Sequence, residues 1–175
     1  MSMYIAEVVH DLPDLRQIEF DVPGGMGEVT LQVAVRPVGA EPWVGLFRTL
    51  KYSDVNVIQV WDDGPMLLAV AGGYPHFIDT RNPLRRVEMP VFPVRHILRH
   101  ESSLVVLGDF VRMCGVLGTG VDWVSPTLAD DWLDDVHLDG EDVVGRGSMN
   151  ATGEWAPFRI NVRDGTTETQ WVDYV

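Results

Sequence analysis

The sequence is poor in the features that mark secreted and membrane proteins. Its 175 residues include one cysteine, Cys114, so no internal disulfide can form. A lone thiol is ordinary in a reducing compartment, and Met1–His10 lacks the basic start and apolar run of a signal peptide, so we expect a cytoplasmic protein. The longest apolar candidate, Pro65–Ala71, is far shorter than the ~20 residues of a membrane helix.

Basic residues are also scarce. The chain has 13 Lys plus Arg against 26 Asp plus Glu, a formal charge of -13, and Lys51 is its one lysine. Residues 101–175 hold 14 acids and 4 bases, a net charge of -10, whereas residues 1–100 hold 12 and 9, a net charge of -3. Because such a charge repels phosphate backbones and anionic lipids, we expect neither nucleic-acid nor membrane binding.

Signatures of catalysis and metal binding are missing. There is no Gly-x-Ser-x-Gly elbow and no phosphate-binding Gly-Lys-Ser or Gly-Lys-Thr. His96 and His100 have the spacing of a helical ligand pair, but their surroundings predict a strand, in which the two Cα atoms lie ~13 Å apart. Cys114 falls in another predicted strand as a packed, inert thiol. We expect no cofactor and no metal site.

The dominant pattern is alternation with a period of two. Ile18, Phe20 and Val22 alternate with polar residues, and residues 28–36 do the same. The glycine-rich segment 23–27 lies between the two runs. It predicts an antiparallel N-terminal hairpin over residues 16–36.

The rest of the chain extends this pattern to about a dozen short strands with little helix. We predict a single all-β domain over residues 1–175, an antiparallel meander arranged as an incomplete propeller, a sandwich or a barrel. One turn or two of helix is expected over Ser125–Leu133, where Ser125 could cap. Further predicted strands cover residues 43–48, 55–61, 66–71, 74–79, 92–98, 104–108, 110–116, 121–125, 135–138, 142–147, 155–162 and 168–174.

An internal repeat supports blade-like hairpins. Leu68–Ile78 aligns with Leu104–Cys114 at an offset of 36, each with an apolar strand, a glycine-containing reversal and an aromatic residue. The run Leu67-Leu68-Ala69-Val70-Ala71-Gly72-Gly73, followed by Phe77-Ile78-Asp79-Thr80-Arg81-Asn82-Pro83, resembles the inner hairpin of quinoprotein-type and NHL-type β-propeller blades. The resemblance covers about residues 55–168. It implies a binding domain more than a reaction.

The segment Asp130–Asp142 contains seven acids and no Lys or Arg, whereas Arg81–Arg99 contains five arginines and one acid. The two segments are expected either to lie near each other or to form separate partner surfaces. Asp139-Gly140 predicts a hairpin turn. Trp132 and Leu133 lie between acids. If these two side chains face outward, they would anchor an interface. If they face inward, which we favour, they would hold the loop against a sheet. Most other tryptophans are expected in the core.

Three functions remain open. The first is a non-enzymatic protein-binding module whose acidic C-terminal half docks a basic partner protein. The second is an enzyme or small-ligand carrier with a pocket assembled around His76, Asp79, His96, His100 and Asp109. The third is a homodimer formed by pairing of exposed β edges. The first is our prediction, with the binding residues Asp130, Asp131, Trp132, Leu133, Asp134, Asp135 and Asp139.

Overall fold

The computed structural model describes residues 3–22, 27–101, 103–150 and 152–169, and within these ranges the chain is all-β. The chain divides into two compact units. The first unit consists of Met1–Met89 and Gly118–Gly120, and the second of Pro90–Leu117 and Val121–Val175. No helix in the described ranges is long and apolar enough to cross a membrane.

Within the same ranges, sixteen strands form four sheets of four strands each. The strands are β1 (Tyr4–Val8), β2 (Arg16–Phe20), β3 (Glu28–Pro37), β4 (Trp43–Thr49), β5 (Val57–Val60), β6 (Met66–Ala71), β7 (Tyr74–Asp79), β8 (Asn82–Val87), β9 (His96–His100), β10 (Leu104–Gly108), β11 (Met113–Leu117), β12 (Gly120–Val124), β13 (Leu133–Asp139), β14 (Asp142–Met149), β15 (Glu154–Asn161) and β16 (Thr167–Thr169).

The first unit contains two sheets that share one apolar core. The first sheet has the order β1-β3-β4-β2 and the second is the antiparallel meander β5-β6-β7-β8. Alternate residues of β3 and β6 supply side chains to the same buried cluster, as the period of two requires. The Tyr4 hydroxyl donates to the carbonyl of Met66, and Trp43 Nε1 donates to the carbonyl of Thr80 over 2.9 Å. These two bonds connect the sheets and give each aromatic polar group a partner.

The predicted N-terminal hairpin is wrong. β2 and β3 are separated by β4, and β2 pairs with β4 in parallel, Ile18 opposite Gly45 and Phe20 opposite Phe47. The alternation itself is correct, since Ile18 and Phe20 are buried. Alternation identifies the buried face of a strand but not the neighbouring strand. β1, which the sequence pattern did not predict, pairs with β3 on the side away from β4. Residues 23–26 of the predicted turn segment 23–27 lie outside the described residues.

The second unit also has two sheets around one core. Their orders are β12-β11-β10-β9 and β13-β14-β15-β16, and the second is antiparallel throughout. Trp123 Nε1 donates to the carbonyl of Val162 over 2.8 Å, which connects the sheets as Trp43 does in the first unit. The indole leaves no room for a Cβ at Gly115 or Gly165, where the nearest ring atoms would lie 2.4 Å and 2.8 Å away. Glycine is therefore required for this close packing.

Other local predictions from the sequence have mixed outcomes. The turn at Asp139-Gly140 is confirmed, with Gly140 at φ 61° and Asp139 opposite Asp142. The helical turn over Ser125–Leu133 is wrong. Ser125 Oγ accepts from Met113 N and donates to the carbonyl of Pro126, so it caps no helix.

The tryptophans divide between core and surface. Trp43, Trp61 and Trp123 are buried as expected, whereas Trp155 is 44% exposed. Trp171 lies outside the described residues.

His76 on β7 is a polar side chain enclosed by aromatic rings. It is 4% exposed, and its ring lies 5.0 Å from that of Phe47 and 4.9 Å from that of Tyr74. Its Nε2 atom has no hydrogen-bond partner among the described residues. Burial, with a smaller contribution from Arg86, lowers the pKa of His76 to about 3. The imidazole is therefore neutral in the folded protein at neutral pH.

We expect His76→Leu to stabilise the protein against acid. The unfolded chain binds a proton on this histidine below about pH 6.5, and the folded chain does so only near pH 3, so stability falls as the pH drops through that window. Between pH 7 and pH 4, the unfolding free energy of His76→Leu should therefore fall by roughly 3 kcal/mol less than that of the wild type. Urea unfolding at both pH values measures the difference. His137→Leu, which removes an exposed histidine, is the matched control. A pH dependence in His76→Leu equal to that of the wild type would contradict this explanation.

Candidate functional site

The predicted binding segment begins in an extended loop, residues 125–132, that lies between β12 and β13. Leu128 N donates to the carbonyl of Val111 over 2.8 Å, and Asp130 N donates to the carbonyl of Ser148 over 2.9 Å. Trp132 N donates to Ser148 Oγ, and the Trp132 carbonyl accepts from Ser148 N, both over 2.9 Å. These bonds satisfy the loop backbone and hold the loop between the β10–β11 turn and β14.

Trp132 and Leu133 point in opposite directions. Trp132 is 42% exposed, whereas Leu133 is 1% exposed and belongs to the core of the second unit. Our prediction that both residues point inward is therefore wrong for Trp132. Because successive side chains of an extended chain alternate, an outward tryptophan and an inward leucine are the natural outcome. Leu133 pins the loop, and Trp132 is presented to solvent.

Phe110 and Arg95 pack against Trp132, and we name these three residues the Trp132 cluster. The rings of Phe110 and Trp132 lie 5.0 Å apart and are tilted by 54°. The Arg95 guanidinium lies 4.4 Å from the centre of the Trp132 ring and 4.9 Å from that of Phe110. This cation–π contact also joins the arginine-rich segment to the acidic segment at one point. The cluster is therefore a held aromatic surface with a cation at its side.

Phe110 owes its position to Asp109. Asp109 is buried; its Oδ1 accepts from Val111 N and Arg112 N over 2.8 Å each, and its Oδ2 accepts from Phe92 N over 3.2 Å. The carboxylate thus builds the β10–β11 turn, and Phe110 lies in that turn. The sequence pattern places Phe110 in a strand and marks neither Phe110 nor Arg95 as a site residue. The one available signal was the turn-forming aspartate.

The acidic segment is divided by its ion pairs. Arg146 binds Asp134 at 2.6 Å, Arg159 contacts Asp139 at 3.3 Å and binds Asp142, and Arg163 binds Glu141 at 2.7 Å. The acids with no Lys or Arg partner among the described residues are Asp130, Asp131 and Asp135.

Two of these unneutralised acids, Asp130 and Asp131, directly precede Trp132 in the chain. Asp131 accepts from Asn150 Nδ2 over 2.9 Å, and Asp130 accepts from Asn150 N over 2.5 Å. Asn150 is neutral, so it orients both carboxylates without cancelling their charge. Two of the three acids without a Lys or Arg partner in the described part of the segment are therefore the exposed residues that directly precede Trp132 in the chain.

The residues named for the enzyme or carrier alternative are distributed over both units. Asp79 Oδ1 accepts from Arg81 N over 3.0 Å, and, like Asp109, Asp79 serves a turn. His96 and His100 lie at the two ends of β9, opposite Gly108 and Leu104. Burial, with a smaller contribution from Arg95, lowers the pKa of His96. Within the second unit the structure does not bring His96, His100 and Asp109 together as one catalytic group.

An open groove of about 470 Å³ lies on one face of the C-terminal sheet. Its walls include His137, Val144, Arg159 and Glu168, which face one another across β13 to β16. Asp135, with φ 54°, marks the β-bulge at one side of the groove. The two arginines of the groove, Arg146 and Arg159, are paired with Asp134 and with Asp139 and Asp142, all on β13 or β14.

The chain matches no protein-family model, and no curated protein matches it. The site must therefore be interpreted from its own geometry.

Substitution of Gly147 tests how the loop is seated. A Cβ at Gly147 would lie 1.9 Å from the carbonyl oxygen of Leu128, so Gly147→Ala must push the loop away from β14. We expect a loss of about 1–3 kcal/mol in unfolding free energy and a changed Trp132 environment. Gly120→Ala, whose Cβ meets nothing within 4 Å, is the matched control. Urea unfolding measures the free energy of each variant, and tryptophan fluorescence reports the Trp132 environment. Equal effects of the two variants would argue against a loop that packs closely on β14.

Proposed function

We propose that the protein is a non-enzymatic binding module that docks a basic segment of a partner protein on the Trp132 cluster, with Asp130 and Asp131 as the anionic contacts. The observation that carries the proposal is a 42% exposed tryptophan that directly follows two exposed acids, neither of them paired with an arginine or lysine among the described residues.

The aromatic part of the cluster is suited to act as an anchor. Tryptophan is enriched among the residues that dominate binding energy, and its large rigid ring buries much area at low entropic cost. Here the ring is already held from one side by Phe110 and Arg95, and its backbone is fixed to Ser148. Little ordering is then required on binding, which favours affinity.

The charge of the surface selects the kind of partner. The net charge of -10 over residues 101–175 attracts basic proteins at a distance, and this attraction weakens as salt screens it. At contact, Asp130 and Asp131 can accept from arginine or lysine side chains that flank an apolar residue packed on Trp132. Asp134 and Asp139, which the sequence prediction included, are committed to arginines and contribute less.

Labelled short peptides that carry arginine and lysine around one leucine are the defined probe. We expect the intact protein to bind them with an affinity that falls as salt rises, and not to bind charge-reversed peptides. Trp132→Ala should weaken binding roughly tenfold or more. Asp130→Asn with Asp131→Asn should weaken binding and flatten its salt dependence. Fluorescence anisotropy measures each affinity.

Trp155→Ala is the matched control. Trp155 is 44% exposed and also lies against an arginine, Arg146 at 5.7 Å, but the nearby Asp134 is neutralised by that same arginine. Its removal should leave peptide affinity unchanged. Failure of all basic peptides to bind, or equal losses in Trp132→Ala and Trp155→Ala, would overturn the proposal.

A further inference from the structure

A second group of polar side chains lies in the second unit and shares no residue with the Trp132 cluster. It consists of His100 at the end of β9, Glu101 directly after it, and Glu141 in the β13–β14 turn. One ligand atom from each lies within 4.8 Å of the other two, and His100 Nε2 is 3.7 Å from Glu141 Oε2. Two chain segments far apart in sequence thus converge on one point.

The spacing and the donor types fit a small divalent cation. Bonds of about 2.1 Å to nitrogen and oxygen place the ligands of a tetrahedral ion roughly 3.4 Å apart, close to the separation between His100 and Glu141. A neutral imidazole with two carboxylates is a donor set that suits Zn²⁺ and its transition-metal neighbours. Calcium and magnesium prefer oxygen ligands alone.

A cavity beside two members of this group, His100 and Glu101, has room for an ion and its water. It has a volume of about 250 Å³, and His100, Glu101, Asp122 and Arg163 line it. The His100 side chain is 15% exposed, so the imidazole is largely enclosed at the cavity wall. Glu101 and Asp122 are exposed at the same cavity, which leaves a path for a cation from solvent.

Arg163 would compete with a bound cation for Glu141. Its Nε donates to Glu141 Oε2 over 2.7 Å, the same oxygen that faces His100. A bound cation and the guanidinium therefore compete for one carboxylate. We propose that His100, Glu101 and Glu141 bind a divalent transition-metal ion, with water at the remaining positions, and that Arg163 occupies Glu141 when the ion is absent.

Calorimetric titration of the chelator-treated 175-residue chain with ZnCl₂ tests the site. We expect binding of one ion per chain, little competition from Ca²⁺ or Mg²⁺, and roughly tenfold or greater weakening in His100→Ala and in Glu141→Gln. Glu141 is exposed, so Glu141→Gln keeps the test valid if His100→Ala folds poorly. Arg163→Gln should bind Zn²⁺ more tightly than the wild type, because the carboxylate loses its competitor.

The control is His137→Ala, which removes a histidine that also lies near a carboxylate, Asp135 at 3.8 Å, but outside the proposed ligand set. It should leave Zn²⁺ affinity unchanged. Absence of stoichiometric binding, weakening by His137→Ala equal to that by Glu141→Gln, or weaker binding in Arg163→Gln would each overturn the metal site. None of these results bears on peptide binding at the Trp132 cluster, so the two proposals stand or fall separately.

Discussion

The backbone hydrogen bonds that hold residues 128–132 against Val111 and Ser148 are the constraint on which the proposed interaction surface depends. A connection without such bonds would sample many arrangements, as surface loops commonly do. Here each bonded amide fixes one more position, and the absence of a side chain at Gly147 lets the Leu128 carbonyl approach β14. The exposed tryptophan is thus supported by fixed main chain, as a preorganised contact requires.

Electrostatics divide a block of acids that is continuous in the sequence. The seven carboxylates between Asp130 and Asp142 look equivalent along the chain. Cross-strand pairing brings Arg146 opposite Asp134 and Arg159 near Asp139 and Asp142, which converts part of the block into ordinary sheet ion pairs. Such exposed pairs contribute little stability, but they neutralise the charges of Asp134, Asp139 and Asp142.

Much of the fold could be predicted because it follows from local chemistry. The bounds of β6, β7 and β10 agree with the apolar runs and glycine turns that predicted them, and Asp139-Gly140 forms its hairpin. The parallel pairing of β2 with β4 could not be predicted. It brings Phe20 opposite Phe47 although β3 lies between them in the sequence, and no local pattern indicates that contact. The propeller-type arrangement remains a prediction.

The candidate sites were harder to predict for the same reason. Arg95, Phe110 and Trp132 come from three separate segments, and His100 and Glu141 from two, so no spacing in the sequence joins them. The turn-forming aspartate before Phe110 could be identified, yet nothing local indicated that its turn would present Phe110 to Trp132. Sequence patterns identify the elements, whereas the sites arise where elements meet.

The opposite orientations of Trp132 and Leu133 carry a consequence for how this chain could vary. Along an extended backbone, loss or gain of one residue between Ser125 and Trp132 would turn the next side chains to the other face and exchange the two positions. Leucine would then face water and tryptophan the interior. The number of residues in this connection, more than their identity, decides which of the two side chains is exposed to solvent.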